Sequence, residues 1–146
     1  YGCLQTNQTE RNLKKTNKRA LRFVANDSET EYEDLCRNEQ ELNIYKRCIK
    51  NVAIQMYKIK NQTAPIFMQN LFVRRQSQYE MRDNDVYNIP RFKTVTYGKK
   101  SFRYYGAKLW SIIPVDIKDI NSLVRFKSAL TQWLHNHENV SNLEFL

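Results

Sequence analysis

The feature that most constrains the fold is an apolar repeat in residues 42–59 of this 146-residue chain. Its members recur at alternating steps of three and four residues, as Leu42, Tyr45, Ile49, Val52, Met56 and Ile59. Because an α-helix turns once every 3.6 residues, this spacing predicts a helix over residues 42–60 with one unbroken apolar seam. The seam is shorter than three heptads and Pro65 follows it closely, which favours a bundle helix packed on neighbours over a coiled coil.

Two further helices are predicted in the first third of the chain. Residues 10–25 combine cations with an apolar face, which consists of Leu13, Ala20, Leu21 and Val24. This helix is expected to stop near Asn26. Ser28 and Glu31 then have the spacing of a capping box, in which a hydroxyl and a carboxylate satisfy free backbone amides. A short acidic helix ending near Arg37 is expected to follow.

Two helices are also predicted in the second half of the chain. Ser101 is placed to cap a helix that runs to about residue 113, with Gly106 as a close-contact point and Pro114 as its stop. The last helix is expected to begin near Asn121 or Ser122. Its apolar face consists of Leu123, Phe126, Leu130, Trp133 and Leu134.

Shorter elements connect these helices. Residues 66–72 predict a further helical turn or two, residues 74–88 a polar loop, and the β-formers of residues 89–97 a short extended segment. The predicted fold class is therefore mainly α, a small helical bundle of about five helices with a short extended segment near residues 89–97. We expect one helical accessory domain over residues 1–137, with a frayed tail over residues 138–146. A start at Tyr1 rather than Met leads us to expect a fragment of a larger protein.

The net charge of +9 is arranged in blocks. Six cations in residues 11–22 precede seven carboxylates in residues 27–41, which only Arg37 interrupts. Residues 86–115 then contain no carboxylate, but six cations interleaved with aromatic residues. Cations that neutralise phosphates, beside aromatic rings on which bases stack, are typical of nucleic-acid binding.

This basic and aromatic segment is the predicted nucleic-acid site. The cations expected to contact phosphate are Arg91, Lys93, Lys99, Lys100, Arg103 and Lys108, and the ring expected to stack on a base is that of Tyr97. An alternative interpretation assigns several rings of the segment to the core and leaves the cations as a solvated outer face. Those rings belong to Phe92, Phe102, Tyr105 and Trp110.

Patterns typical of catalysis or metal binding are missing from the sequence. Two carboxylate pairs lack the further carboxylates of a two-metal site and are expected to serve turns and caps, namely Asp83 with Asp85 and Asp116 with Asp119. His135 and His137 have no cysteine or acidic cluster near them, and no nucleophile elbow is present. We therefore expect no catalytic site, no metal and no cofactor in this chain.

The composition favours an intracellular protein, nuclear or cytoplasmic, with neither a membrane nor a small-molecule substrate as partner. No apolar run approaches the roughly 20 residues that cross a bilayer. Cys3, Cys36 and Cys48 are odd in number and widely spaced, which is typical of reduced thiols. Four N-x-S/T sequons oppose this interpretation, because such sites are modified in secreted proteins; they lie at Asn7, Asn26, Asn61 and Asn139.

A co-linear series of short motifs runs through residues 9–134. The first half contains KRALRFV at residues 18–24, SETEYEDL at 28–35 and AIQMYKIKN at 53–61, with Ala64-Pro65 close behind. The second half contains YEMR at residues 79–82, PRFKT at 90–94, YGKKSF at 97–102 and GAKLW at 106–110, followed by Ile113-Pro114. In this order the motifs resemble the region after the polymerase thumb in reverse transcriptases of non-LTR (LINE-type, jockey-like) retrotransposons.

The resemblance implies a parent protein that copies its own RNA into DNA at a nicked chromosomal target, with an endonuclease and a polymerase palm upstream. This chain has no Phe/Tyr-Ala-Asp-Asp sequence, and the residues after Trp133 lack the ligands of the zinc knuckle that some family members contain. We therefore expect a catalytically silent C-terminal accessory fragment of an RNA-directed DNA polymerase. Its expected partners are the phosphate backbone of RNA or DNA and the missing polymerase core.

Two other hypotheses stay open at this point. In the first, the chain is a docking module whose apolar seams, at residues 42–59 and 123–134, pack on the missing polymerase core, while the basic residues are only solvated surface. In the second, the chain is a retroelement relic without a present function.

Overall fold

The chain is mainly helical, as the sequence predicts. The computed structural model describes residues 7–39, 41–75, 86–94, 98 and 101–136, with residues 7–10 described through their backbone. The helices of this part are α1 (Asn7–Ala25), α2 (Tyr32–Asn38), α3 (Ile44–Lys60), α4 (Ile66–Gln69), α5 (Phe102–Ile112), α6 (Val115–Lys118) and α7 (Leu123–Asn136). The five longer ones correspond to the five that were expected, and α4 and α6 are single turns. The predicted tail, residues 138–146, lies outside the described residues.

Helix α3 packs against α5 and α7 and has ends that its sequence explains. The Asn43 side chain accepts a hydrogen bond from the Lys46 amide, which satisfies one free donor of the first turn. Beyond the last turn, Gln62 adopts a left-handed backbone conformation (φ 56°), which turns the chain away from the helix axis. The seam points inward as predicted, and its buried members are Leu42, Ile49, Met56 and Ile59.

The main core lies between α3, α5 and α7. The Tyr57 ring of α3 stacks on the Phe126 ring of α7, with 4.3 Å between the centroids. The Trp110 ring of α5 lies 6.3 Å from the same Phe126 ring. Leu130 and Leu134 are fully buried on the same face of α7, which confirms the predicted apolar face. Burying a side chain of this size contributes about 1.5–3 kcal/mol, so this cluster supplies much of the stability of the bundle.

Gly106 allows α5 to approach α3 closely. A Cβ atom at this position would lie 2.8 Å from Met56 Sδ and 3.2 Å from Phe72 Cζ. The close-contact role predicted for Gly106 is therefore confirmed.

Hydrogen bonds from α3 hold the connection between α6 and α7. The Tyr57 hydroxyl donates to the Ile120 carbonyl (2.9 Å). The Lys60 ammonium donates to the Lys118 carbonyl (2.9 Å) and forms an ion pair with Asp119 (2.9 Å). These contacts fix the entry to α7. Asp119, for which a turn or cap role was expected, is the C-cap residue of α6.

Helices α1 and α2 form a second, smaller apolar cluster. Leu21 of α1 is buried against α2, and Tyr32 of α2 accepts a hydrogen bond from the Asn17 side chain (2.7 Å). The apolar face predicted for α1 is wrong in its larger part, because Leu13 and Val24 are exposed. By helical spacing, Leu13 and Val24 lie on the same side of α1 as Leu21, but the seven-residue helix α2 does not cover that whole side and leaves both exposed.

The predicted capping box is also wrong. Helix α2 begins at Tyr32, and its N-cap residue Glu31 makes no side-chain capping hydrogen bond. The Asp27 carboxylate instead accepts hydrogen bonds from the Glu29 amide (2.8 Å), the Thr30 amide (3.1 Å) and the Thr30 hydroxyl. A charged acceptor with two oxygens satisfies more donors than the Ser28 hydroxyl could, so the turn forms around Asp27.

Residues 89–94, where a short extended segment was expected, form neither a helix nor a paired strand. The pairing lies just before this segment, in an isolated antiparallel bridge between Arg74 and Tyr87. Residues 95–97 lie outside the described residues.

Candidate nucleic-acid interface

Tyr87 anchors the chain just before the candidate site. Its buried ring packs edge-on against Phe72, with 5.5 Å between the centroids. Phe72 packs in the same way on Phe102 at 5.4 Å, in the first turn of α5. This chain of three rings fixes the start of the basic segment relative to the helix that carries its other cations.

Phe92 brings the next part of the segment onto α5. Its ring lies against the ring of Tyr104, with 6.3 Å between the centroids and 62° between the planes; we call these two residues the ring pair. Gly98 packs on Phe92 so closely that a Cβ atom there would lie 2.2 Å from Phe92 Cβ. The Gly98 amide also donates to the Thr94 carbonyl (3.2 Å). The absence of a side chain at position 98 therefore permits this packing.

Ser101 sets the position of Tyr104 in the first turn of α5. Its hydroxyl oxygen accepts a hydrogen bond from the Tyr104 amide (3.4 Å), and its hydroxyl donates to the Gly98 carbonyl (2.7 Å). The helix cap predicted for Ser101 is confirmed. One residue thus joins the loop that holds Phe92 to the helix that holds Tyr104.

Four of the six predicted cations lie in the described residues, and all four are close in sequence to the ring pair. Arg91 and Lys93 flank Phe92 and are exposed. Arg103 directly precedes Tyr104 and is exposed, and the Lys108 ammonium lies 5.9 Å from the centroid of the Tyr104 ring, one helical turn further on. The contact between the rings therefore joins the loop segment that carries two of the cations to the part of α5 that carries the other two. Tyr97, Lys99 and Lys100 lie outside the described residues.

The alternative that assigned four rings to the core is right for three of them. Trp110 is fully buried, and Phe102 and Tyr105 pack against the main core. Phe92 differs, because 38% of its surface is exposed among the cations. Sequence reasoning did not place Phe92 or Tyr104 in the site. The spacing of four residues between Tyr104 and Lys108, which puts a ring and an ammonium on one side of a helix, was the available signal.

The net positive charge lies outside the first two helices. Residues 1–41 contain seven cations and eight carboxylates, which leaves a net charge of −1 there and +10 on residues 42–146. The long-range attraction of the chain for a polyanion therefore comes from the part that includes the ring pair. The basic helix at the start of the sequence has its counter-charge close by.

Ion pairs between α1 and the start of α2 illustrate this balance. Lys14 pairs with Glu33 (3.5 Å), and Lys18 pairs with Glu31 (3.2 Å). The hydrogen bond from Lys18, followed by its charge, lowers the pKa of Glu31 below its ordinary value. These pairs lie at the surface, where salt screens them, so they neutralise charge more than they stabilise the fold.

The described residues contain no second site built from metal ligands, thiols or long apolar helices. They contain no group of three or more His, Cys, Asp or Glu side chains placed to share a metal ion. Burial raises the pKa of the Cys36 thiol, which places this cysteine among buried structural thiols. Among the described helices, none combines the length and the apolar character that crossing a bilayer requires.

Other helices of this chain bury the two apolar seams of the docking hypothesis. Met56 of the first seam and Leu130 of the second are fully buried in the same core. These seams are therefore unavailable to another protein in the folded chain. The most exposed apolar side chains lie elsewhere, at Phe23 and Val24 of α1 and at Ile66 and Phe67 of α4.

Comparisons of the chain with protein-family models, with curated proteins and with solved structures find no match.

Proposed function

We propose that this chain is a helical accessory module that binds the phosphate backbone of RNA or DNA through the basic surface around the ring pair. The observation that carries the proposal is the contact between Phe92 and Tyr104. It joins Arg91 and Lys93 of the loop to Arg103 and Lys108 of α5 in a stretch without any carboxylate.

Electrostatics supports a phosphate ligand. Exposed cations that neutralise phosphates release condensed counterions, and this release gives most of the sequence-independent affinity for nucleic acids. Arg91, Lys93 and Arg103 are exposed and so can reach phosphates without unfolding any part of the bundle. Binding of this type is steep in salt concentration and nearly indifferent to base sequence.

The motif order supports a role beside a reverse transcriptase. In this proposal the chain is the catalytically silent C-terminal part of a retrotransposon RNA-directed DNA polymerase, and it holds template RNA or target DNA beside a polymerase core that other parts of the parent protein supply. The runs PRFKT at residues 90–94 and GAKLW at residues 106–110, which contribute to the resemblance, also contain three of the four described cations.

A salt titration of the whole chain tests the proposal. Fluorescence anisotropy would measure its affinity for labelled single-stranded RNA and DNA at several salt concentrations. Four phosphate contacts to a single strand predict a slope of about −2.8 in log K against log salt, or about a 50-fold loss between roughly 50 and 200 mM salt. An affinity that is equal at low and moderate salt would contradict the proposal.

A second candidate function is docking on the polymerase core of the parent protein. The observation that favours it is the exposure of two neighbouring apolar residues near the end of α1, Phe23 (89%) and Val24 (70%). Exposed apolar side chains of this kind can dock on another protein. If the isolated chain self-associates in light scattering and does not bind RNA or DNA, docking becomes the better account.

A further inference from the structure

We infer that the ring pair is a stacking platform, so that the site takes an unpaired polynucleotide strand rather than a duplex. The inference rests on the proposed function and adds the strand state of the ligand. It also assigns stacking to Phe92 and Tyr104, which contact each other and are adjacent in sequence to Arg91, Lys93 and Arg103.

The exposure of the ring pair is the first observation. Phe92 is more than a third exposed and Tyr104 is only partly buried, whereas the neighbouring rings of Phe102, Tyr105 and Trp110 reach the core. Phosphate neutralisation requires only the cations, whereas a partly exposed aromatic ring also offers a face on which a base can stack. Rings held between cations are the arrangement with which proteins bind unpaired strands, because every base has a face that can stack.

The rigidity of the platform is the second observation. Gly98 leaves no space behind Phe92, since any Cβ at position 98 would overlap the Phe92 side chain. The Ser101 hydroxyl ties Gly98 to the helix turn that carries Tyr104. The Phe92 side chain and the backbone of Tyr104 are therefore positioned before a ligand arrives, which reduces the ordering that stacking requires.

The position of Lys108 is the third observation. Its ammonium lies 5.9 Å from the centroid of the Tyr104 ring, in a weak cation–π contact. A base that stacks on this ring can take the place of the ammonium, and the ammonium can then turn to the adjacent phosphate. The contact thus keeps a cation within one side-chain length of a stacked nucleotide.

These three features favour an unpaired strand because a duplex hides its base faces. A base inside a duplex must leave its partner and its stacked neighbours before it can reach the ring pair, and this costs free energy. An unpaired strand presents bases and phosphates together. The cations alone would contact a duplex, but the rings would contribute nothing to that complex.

The test compares strands that differ only in their bases, using the whole, unmodified chain. Anisotropy would measure affinity for a dT12 strand, an rU12 strand, a 12-residue abasic strand with the same phosphate spacing, and a 12-base-pair duplex. One stacked base is expected to make binding to dT12 or rU12 about tenfold tighter than binding to the abasic strand. The ratio of the affinities for dT12 and rU12 shows whether the site prefers a DNA strand or an RNA strand.

Two variants locate the effect on the protein. Tyr104→Leu and Phe92→Leu keep apolar volume but remove a flat ring, and each is expected to lower affinity for dT12 about tenfold more than it lowers affinity for the abasic strand or the duplex. Phe23→Leu, which alters an exposed ring on α1, is the matched control and should change no affinity. Circular dichroism would show that each variant keeps its helices.

The outcomes separate this inference from the proposed function. Equal binding of dT12 and the abasic strand, or ring variants that weaken all four ligands alike, would overturn the stacking platform while salt-dependent binding still supported phosphate recognition. Absence of binding to every ligand would overturn both. Because the comparison with the abasic strand needs no variant, the inference stays open to refutation even if a ring variant unfolds.

Discussion

The ring of Phe92 lies against the ring of Tyr104, 6.3 Å away, and so joins the basic loop to helix α5. The sequence separation of twelve residues means that neither ring reaches the other through local structure. The contact depends on Gly98, which packs on Phe92, and on the cap of α5 at Ser101. Much of the functional account depends on this one contact.

Gly98→Ala should disrupt the site more than the fold. The added Cβ would lie 2.2 Å from Phe92 Cβ, so the loop must move, at a cost of about 1–3 kcal/mol. We expect a lower midpoint in urea denaturation together with weaker binding to single-stranded oligonucleotides. Gly106→Ala is the control, since its Cβ meets Met56 Sδ in the core; loss of binding in that variant as severe as in Gly98→Ala would argue against a local effect.

Phe126→Ala should remove the centre of the bundle. Phe126 is fully buried and stacks on Tyr57 of α3, so its truncation leaves a large cavity between α3 and α7. Such truncations cost about 3–5 kcal/mol. Urea denaturation followed by circular dichroism is expected to show a loss of this size. A change below about 1 kcal/mol would mean that the core is not packed as described.

Tyr57→Phe measures how much one hydrogen bond, from the Tyr57 hydroxyl, contributes to stability. The substitution keeps the stack on Phe126 but removes the hydroxyl that donates to the Ile120 carbonyl. We expect a loss of about 0.5–1.5 kcal/mol in the free energy of unfolding, without a change in helix content. A stability equal to that of the unmodified chain would show that the hydroxyl bond does not fix the entry to α7.

Asp27→Asn should change how stability depends on pH. Hydrogen bonds from the Thr30 side chain, the Thr30 amide and the Glu29 amide lower the pKa of Asp27 below its ordinary value of 3.8. Because the folded-state pKa is the lower one, the carboxylate stabilises the fold above pH 3.8, and this stabilisation disappears as the pH falls through the folded-state value.

Denaturation at neutral pH and in acid measures this effect. The unmodified chain is expected to be more stable than Asp27→Asn at neutral pH, and the difference should shrink in acid. Glu29→Gln removes the same charge from the same turn without removing a hydrogen-bond acceptor, and it serves as the control. A difference that is constant from neutral pH to strong acid would contradict the role of the carboxylate.

Local rules predicted much of the fold. The spacing of the seam placed α3, the hydroxyl of Ser101 placed the start of α5, and the small size of Gly106 marked the closest helix approach. Each of these depends on a few neighbouring residues and on helix geometry. They could therefore be predicted without knowing which helices pack together.

The two errors in the first third of the chain have different causes. The capping box failed because Asp27 took the amides of the turn and Lys18 of α1 bonded Glu31. The apolar face of α1 failed because periodicity cannot tell how much of a helix the short helix α2 will cover, and Leu13 stays exposed. The turn around Asp27 is local, since Asp27 directly precedes Ser28, whereas the Lys18 contact and the coverage of α1 depend on tertiary packing, which no local pattern contains.

The candidate site was predicted in its charge but not in its geometry. The run without carboxylates identified Arg91, Lys93, Arg103 and Lys108 as a group, and the composition alone was enough for that. The contact between the rings was not predictable, because it depends on the close packing of Gly98 against Phe92, six residues earlier in the chain. The leading interpretation of the sequence placed stacking at Tyr97, and the alternative interpretation placed Phe92 in the core.

The most direct test of the central claim is a comparison of two charge-reversal variants. One carries Arg103→Glu and Lys108→Glu beside the ring pair, and the other carries Lys15→Glu and Arg19→Glu on the exposed side of α1. Both change the net charge equally, so anisotropy with a single-stranded oligonucleotide separates a local site from general attraction. We predict that the first variant lowers affinity by about tenfold or more and the second has a much smaller effect. Equal losses in the two variants, or no loss in the first, would contradict the account.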